Sequence, residues 1–312
     1  MNTGGKKIYI TGVSGFIGSR LAKLFLDQGY NVIGISRKSA SFISKELGIN
    51  VIEADFNDKS PLDLETAHTI IHCATANDIL SKDIGAGLSL SIVGTNKILE
   101  ASKKAGISNV IFFSTAQVYG TELNGYYDEL NKINCETFYP LNHYLGEELC
   151  KFYCHTQGFN IAVLRPSNVY GVPELDTVNR KTLVPMCFVD DAISNGSITL
   201  RSSGKQKRNF IYIDQMAEII FKTIENFPKG YSIRNCGSNL VMSMLDVIDI
   251  ISNKYNNYYD KKLNIIVGSK KPEQSNNFEY KSKFIEYPNS RKDCLGYMEN
   301  VIDKLFQLWK KN

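Results

Sequence analysis

Three glycines, Gly12, Gly15 and Gly18, stand at G-x-x-G-x-x-G spacing between a β-rich run at 7–10 and an amphipathic segment at 20–28. Strand, tight turn and helix in that order aim a helix amino terminus, with unpaired N–H groups and a positive dipole end, at whatever the backbone approaches. A pyrophosphate suits that seat, so Gly12, Ser14, Gly15, Phe16, Ile17 and Gly18 are expected to hold a dinucleotide. An acidic residue for the adenosine ribose belongs at the end of the second strand, about 20 residues on. There the chain reads Gly34-Ile35-Ser36-Arg37-Lys38. A carboxylate would repel a ribose 2′-phosphate, whereas Ser36, Arg37 and Lys38 would bond to it, so NADP is expected in preference to NAD.

Elements must position these residues. Strand-like segments at 7–10, 31–35, 50–53, 69–72, 110–114 and 160–165 alternate with helix-like ones at 15–28, 39–47, 88–105 and 139–156. Such alternation implies a parallel sheet covered by helices on both faces, with ligands at the carboxyl ends of the strands. The fold class expected is α/β, a Rossmann-type doubly wound parallel sheet with a smaller, interrupted C-terminal substrate-binding lobe. Residues 1–171 plus about 208–236 are assigned to the dinucleotide-binding domain, and 172–207 with 237–312 to the lobe. Region 172–207 reads as loop-rich, 211–213 and 215–225 as a returning strand and helix, and 242–254 and 300–310 as the last helices.

The 312 residues carry 36 basic and 32 acidic side chains, a net charge of +4 that is too small and dispersed to argue for nucleic acid. Lys205-Gln206-Lys207-Arg208 and Lys270-Lys271 are read as solvated loop charges. No apolar run reaches the roughly 18 residues of a membrane span, and no secretory leader is evident. Seven cysteines, at 73, 135, 150, 154, 187, 236 and 294, lack metal-ligand spacing. Reduced thiols in a cytoplasmic protein without a metal are expected.

Longer motifs resemble the extended short-chain dehydrogenase/reductase family, in its nucleotide-sugar epimerase, dehydratase and ketoreductase group, over nearly the whole chain. Thr11-Gly12-x-x-Gly15-x-x-Gly18 matches the family's T-G-x-x-G-x-x-G, and Ile71-His72-Cys73-Ala74 its strand end beside the cofactor. Glu53-Ala54-Asp55 matches the acidic position near the adenine, so the resemblance adds Asp55, Phe56 and Ala74 to the cofactor-binding residues. Gly94-Thr95-Asn96 to Leu99-Glu100-Ala101 matches a family helix, with Ser91 where the family has Asn.

Ser114-Thr115-Ala116-Gln117-Val118-Tyr119-Gly120 resembles S-[ST]-x-x-V-Y-G, which makes Thr115 the catalytic and substrate-holding hydroxyl. The 4,6-dehydratases carry Asp-Glu where this chain has Ala116-Gln117, and neither replacement exchanges a proton near neutral pH. The family's Y-x-x-x-K is altered. It falls on Tyr139 to His143 or on Tyr144 to Glu148. The first register places Glu147, Tyr153 and Arg165-Pro166 on later family positions without a gap, and is preferred. Residues i and i+4 share a helix face, and the resemblance implies that His143, in the place of the family's lysine, meets the nicotinamide ribose beside Tyr139, although a neutral imidazole supports a phenolate less than lysine does. Leu164 to Gly171 resembles L-R-P-x-N-V-Y-G, and Arg208 to Asp214 resembles R-D-F-[VI]-x-V-D, with Asn209 in place of Asp. The resemblance thereby implies that Asn168 and Arg208 contact a nucleotide diphosphate. Cys294-Leu295-Gly296-Tyr297 resembles an L-G-[WY] packing motif.

Together these features predict an oxidoreductase acting at C4 of a nucleotide-linked sugar and working as a homodimer. An NADPH-dependent 4-ketoreductase with catalytic Thr115, Tyr139 and His143 leads. A 4-epimerase using NAD or NADP is the alternative, and a non-catalytic NADP-binding regulator comes third.

Overall fold

A computed structural model describes residues 5–58, 60–268 and 277–310, so Lys270-Lys271 lie outside the described residues. The first half alternates β1 (Lys7–Thr11), α1 (Phe16–Asp27), β2 (Asn31–Ser36), α2 (Ala40–Leu47), β3 (Asn50–Glu53), β4 (Thr69–His72), α3 (Ile84–Leu88), α4 (Thr95–Lys104) and β5 (Asn109–Phe113). There follow β6 (Gly125–Tyr127), α5 (Phe138–Gln157), β7 (Asn160–Pro166), β8 (Asn168–Tyr170), α6 (Met186–Asn195), β9 (Ser197–Leu200), β10 (Lys207–Tyr212), α7 (Ile213–Glu225) and β11 (Tyr231–Cys236). The chain ends with β12 (Leu240–Ser243), α8 (Met244–Tyr259), β13 (Asn264–Val267), β14 (Phe278–Tyr280) and α9 (Arg291–Trp309).

Seven parallel strands form the main sheet in the order β11-β7-β5-β4-β1-β2-β3. The order reverses between β1 and β4, and at such a switch point adjacent loops diverge and leave a crevice at the carboxyl ends of the strands. All four residues of β4 are buried, as expected of a central strand covered on both faces. Three smaller sheets join β12-β10-β8, β13-β9 and β14-β6.

Three expectations change. The helix expected over 88–105 is broken: α3 and α4 flank a π-helical turn at Ser89–Gly94. There Thr95 Oγ1 donates back to the Ser91 carbonyl at 2.6 Å while meeting a β4 side chain on its other side. An inserted residue of this kind leaves no mark in hydrophobic periodicity. Region 172–207 is less loop-like than expected, because it contains α6 and β9. The last helix begins at Arg291 rather than 300, capped by Ser290 and Asp293, a capping box that the sequence displays. All seven cysteines are free. Among the described residues no helix is long and apolar enough to cross a membrane, and no cluster could hold a metal ion.

Candidate active site

The turn after β1 is built for close approach. Gly12 sits at φ +71°, and a Cβ there would press on the Ala74 backbone at 3.2 Å. A Cβ on Gly18 would stand 2.3 Å from the Gly12 carbonyl oxygen. No side chain caps α1, so its first-turn N–H groups stay available to an anion.

A buried polar relay anchors this turn to β4. Thr11 Oγ1 accepts from the N–H groups of Cys73 (3.1 Å) and Ala74 (3.0 Å) and therefore donates to His72 Nδ1 at 2.8 Å. That leaves the His72 proton on Nε2, facing Thr95 Oγ1 at 3.0 Å, and Thr95 passes its own proton to the Ser91 carbonyl. Burial holds the His72 pKa down to about 3, so the relay is uncharged. Ser91 Oγ also accepts from the Ala76 N–H at 3.1 Å, fixing the segment that follows β4.

The relay positions the floor of two adjoining cavities. One, of about 410 Å³, is lined by Gly12, Ser14, Gly15, Ser36, Arg37, Lys38, Phe56 and Ala74, among others. Ser36 is buried, with Oγ accepting from the Lys38 N–H at 3.0 Å, while Arg37 and Lys38 are exposed. Asp55 is not brought to this cavity. It is exposed, accepts from the Asn57 N–H and lines a neighbouring depression with Arg37 and Lys97.

A second cavity of about 280 Å³ shares Gly12 and Gly15 and adds Phe16, Ile17, Gly18, Thr115, Tyr139, His143 and Asn168. Tyr139 and His143 lie one turn apart near the start of α5, their rings edge to face at 4.8 Å. Pro140 is tolerated there because first-turn N–H groups have no helical partner. Farther along, Gly146 lets α5 lie against β5, since a Cβ there would reach the Phe112 ring at 2.5 Å. Tyr144 and Glu148, the alternative register, line neither cavity.

Thr115 follows β5, and its Oγ1 accepts from the Gln117 N–H at 3.2 Å. Burial raises the Tyr139 phenol above its ordinary pKa, with hydrogen bonding to Thr115 pulling partly the other way. Burial likewise pushes His143 down to about 4, despite backbone carbonyls that favour its protonated form. His143 Nδ1 lies 3.1 Å from the Phe113 carbonyl, which can only accept, so Nδ1 carries the proton. With its proton on Nδ1, the neutral ring leaves Nε2 able to accept rather than to donate.

A third cavity of about 260 Å³ adjoins through Thr115, Gln117, Ser167 and Asn168 and reaches Arg208 on β10. Asn168 Nδ2 donates to the Asn209 carbonyl at 2.8 Å. Asn209 is buried and uses both ends of its amide: Nδ2 donates to the Ser238 carbonyl and Oδ1 accepts from the Ser238 N–H. An aspartate cannot donate there, which explains asparagine at this position. Beneath the site, Arg165 forms a two-point buried ion pair with Glu147, at 2.9 and 2.6 Å, and also donates to the Tyr119 hydroxyl.

Ser167 and Arg180 are among the cavity residues that sequence reading missed. Ser167 lies where the second and third cavities meet, its Oγ buried without a hydrogen-bond partner among the described residues. Arg180 enters the second cavity from the segment between β8 and α6. Ser167 stood inside a matched motif as its variable position, whereas Arg180 had no periodic or motif signal at all.

The profile of the NAD dependent epimerase/dehydratase family matches residues 8–237. A Methanocaldococcus jannaschii protein provisionally named UDP-glucose 4-epimerase is 29% identical over 258 residues, which is 79% of this chain and 82% of that protein. The dTDP-D-glucose 4,6-dehydratase of Mus musculus is 23% identical over 257 residues, 78% of this chain and 71% of the dehydratase. In structure, the UDP-N-acetylglucosamine 4-epimerase of Methanobrevibacter ruminantium M1 superposes with a TM-score of 0.82 at 20% identity, covering 97% of this chain and 99% of its own.

Proposed function

The chain belongs to the NAD dependent epimerase/dehydratase family, and from that premise we propose that it is a nucleotide-sugar 4-epimerase using NAD or NADP. The observation that carries this reading is the shared wall of the two cofactor-sized cavities. Gly12 and Gly15 belong to both, and the second also contains Tyr139, His143 and Thr115. A dinucleotide lying on the glycine turn would bring one end to the tyrosine. Relatives named as 4-epimerases favour this reading over a one-way reductase.

The nicotinamide would supply hydride exchange with a sugar carbon. Tyr139 takes the proton from the C4 hydroxyl and returns it to the C4 oxygen. Thr115 holds that oxygen, and His143 Nε2 accepts from a ribose hydroxyl. Asn168 and Arg208 face the cavity beyond, where a diphosphate would lie. We read Ser36, Arg37 and Lys38 as a 2′-phosphate seat, which makes NADP the preferred cofactor.

One observation favours the 4-ketoreductase as the second reading: burial keeps the Tyr139 phenol protonated, the form that has a proton to give to a ketone and none to take from an alcohol. A 4,6-dehydratase is disfavoured, because Ala116 is apolar and Gln117, beside the second and third cavities, is an amide without acid–base chemistry.

Tyr139→Phe tests the assignment. Interconversion of C4-epimeric UDP-sugars, followed by chromatography with NAD or NADP present, should fall about 100-fold or more, while cofactor affinity stays within a few-fold. Near-normal turnover would remove Tyr139 from the chemistry. Net oxidation of NADPH by a 4-keto sugar, without epimer exchange, would select the reductase.

A further inference from the structure

Proton transfer in both directions requires that Tyr139 be able to exist as a phenolate, and its own helix offers no cation for that purpose. His143, the ring beside it, is neutral, with its one proton committed to the Phe113 carbonyl. Thr115, which hydrogen-bonds to Tyr139, carries a hydroxyl and no charge. Among the described residues lining this cavity, the one charged side chain is Arg180.

Arg180 arrives from outside the main sheet, on the segment between β8 and α6, where its carbonyl accepts from the Leu183 N–H at 3.0 Å. Its Nη1 lies 3.3 Å from Asp78 Oδ1, in the segment after β4. The Arg180 side chain is about four-fifths buried, whereas that of Asp78 is half exposed, with exposures of 20% and 47%. Solvent therefore screens the aspartate more than the arginine, and the cavity retains net positive character.

We propose that Arg180 supplies the positive charge that supports the Tyr139 phenolate, and that Asp78 holds Arg180 in position and moderates that charge. Arg180 is thus a positioning residue acting through Tyr139. This inference rests on Tyr139 being the proton-exchanging group. The electrostatic influences on Tyr139 agree in sign, because Arg180 lowers its pKa and Asp78 raises it, both against the larger effect of burial. An arginine cannot lose its own proton and competes with no acid–base role, so the support persists at alkaline pH.

The test uses the full chain labelled with tyrosine carrying ¹³C at the ring ζ carbon, and loss of one resonance in Tyr139→Phe identifies the signal. In Arg180→Gln the Tyr139 titration should move upward by about one pH unit, or beyond the titrated range, as expected for removing a nearby opposite charge. In Asp78→Asn it should move downward, and Arg180→Lys should restore a midpoint near that of the unaltered protein. Unchanged midpoints in both Arg180→Gln and Asp78→Asn would overturn the proposal. Shifted midpoints in a protein that turns over no sugar would leave it standing and reject the proposed activity instead.

Discussion

His143 and His72 are buried bases kept neutral by their surroundings, and that carries a stability consequence. Their folded pKa values, about 4 and about 3, lie below the ordinary value of about 6.5. Between those limits the unfolded chain binds more protons than the folded one, so acidification favours unfolding. Stability should therefore be fully present above about pH 6.5 and fall as pH drops toward 4, with His143 contributing roughly 3 kcal/mol of that loss. Urea unfolding of His143→Gln should show a shallower decline over this window than the unaltered protein. Equal slopes would mean that His143 is already charged in the fold.

At the scale of elements, the glycine turn owes its meaning to the residues at the end of β2 and just beyond it. Ser36 Oγ accepts from the Lys38 N–H, which shapes the loop and leaves its O–H to donate, and Arg37 and Lys38 carry the charge at the cavity. Arg37→Ala should weaken NADP by about 10-fold or more and leave NAD nearly unchanged, by the 1.5–3 kcal/mol typical of a charge-assisted hydrogen bond. Fluorescence titration with each nucleotide measures this, and equal losses would refute the phosphate seat. Legibility in the sequence followed the same local logic. The early strands and glycine turn were readable because each is encoded by contiguous residues, and β3 and β4 fell on the expected positions. The π turn at Ser89–Gly94, strand β11 and the entry of Arg180 depend on partners distant in the chain. Tyr139 and His143 were found through the register of the motif that the chain shares with the family it resembles, and their i, i+4 spacing on one helix agrees with it. The direction of the His143 proton depended on the Phe113 carbonyl, thirty positions earlier, which spacing alone does not reveal.

At the scale of the whole molecule, the exposed side of α5 is apolar, as the homodimer that the family resemblance implies would need. Phe138, Leu145 and Phe152 recur every seven residues and are 45%, 36% and 57% exposed. A seven-residue period keeps side chains on one helical stripe, the pattern of a helix that packs against another. Val93, 56% exposed on the neighbouring π turn, and Ile84, 46% exposed at the start of α3, add to the apolar surface. The π turn and α4 pack on α5 within the chain, where the Tyr153 hydroxyl hydrogen-bonds to Glu100 and lies 2.8 Å from Asn96 Oδ1, both on α4. Two copies meeting along this face would form a four-helix interface, and burying the ring of Phe152 in each would contribute about 1.5–3 kcal/mol per side chain. Because α5 also carries Tyr139 and His143, such an interface would stiffen the helix that presents the proton exchanger. Sedimentation velocity should show a dimer for the unaltered chain and a monomer for Phe152→Asp, since the substitution places two like charges in the seam. If the altered chain instead sediments as a dimer, α5 does not form the contact. If it is monomeric but retains full epimer exchange, the site needs no partner to hold α5.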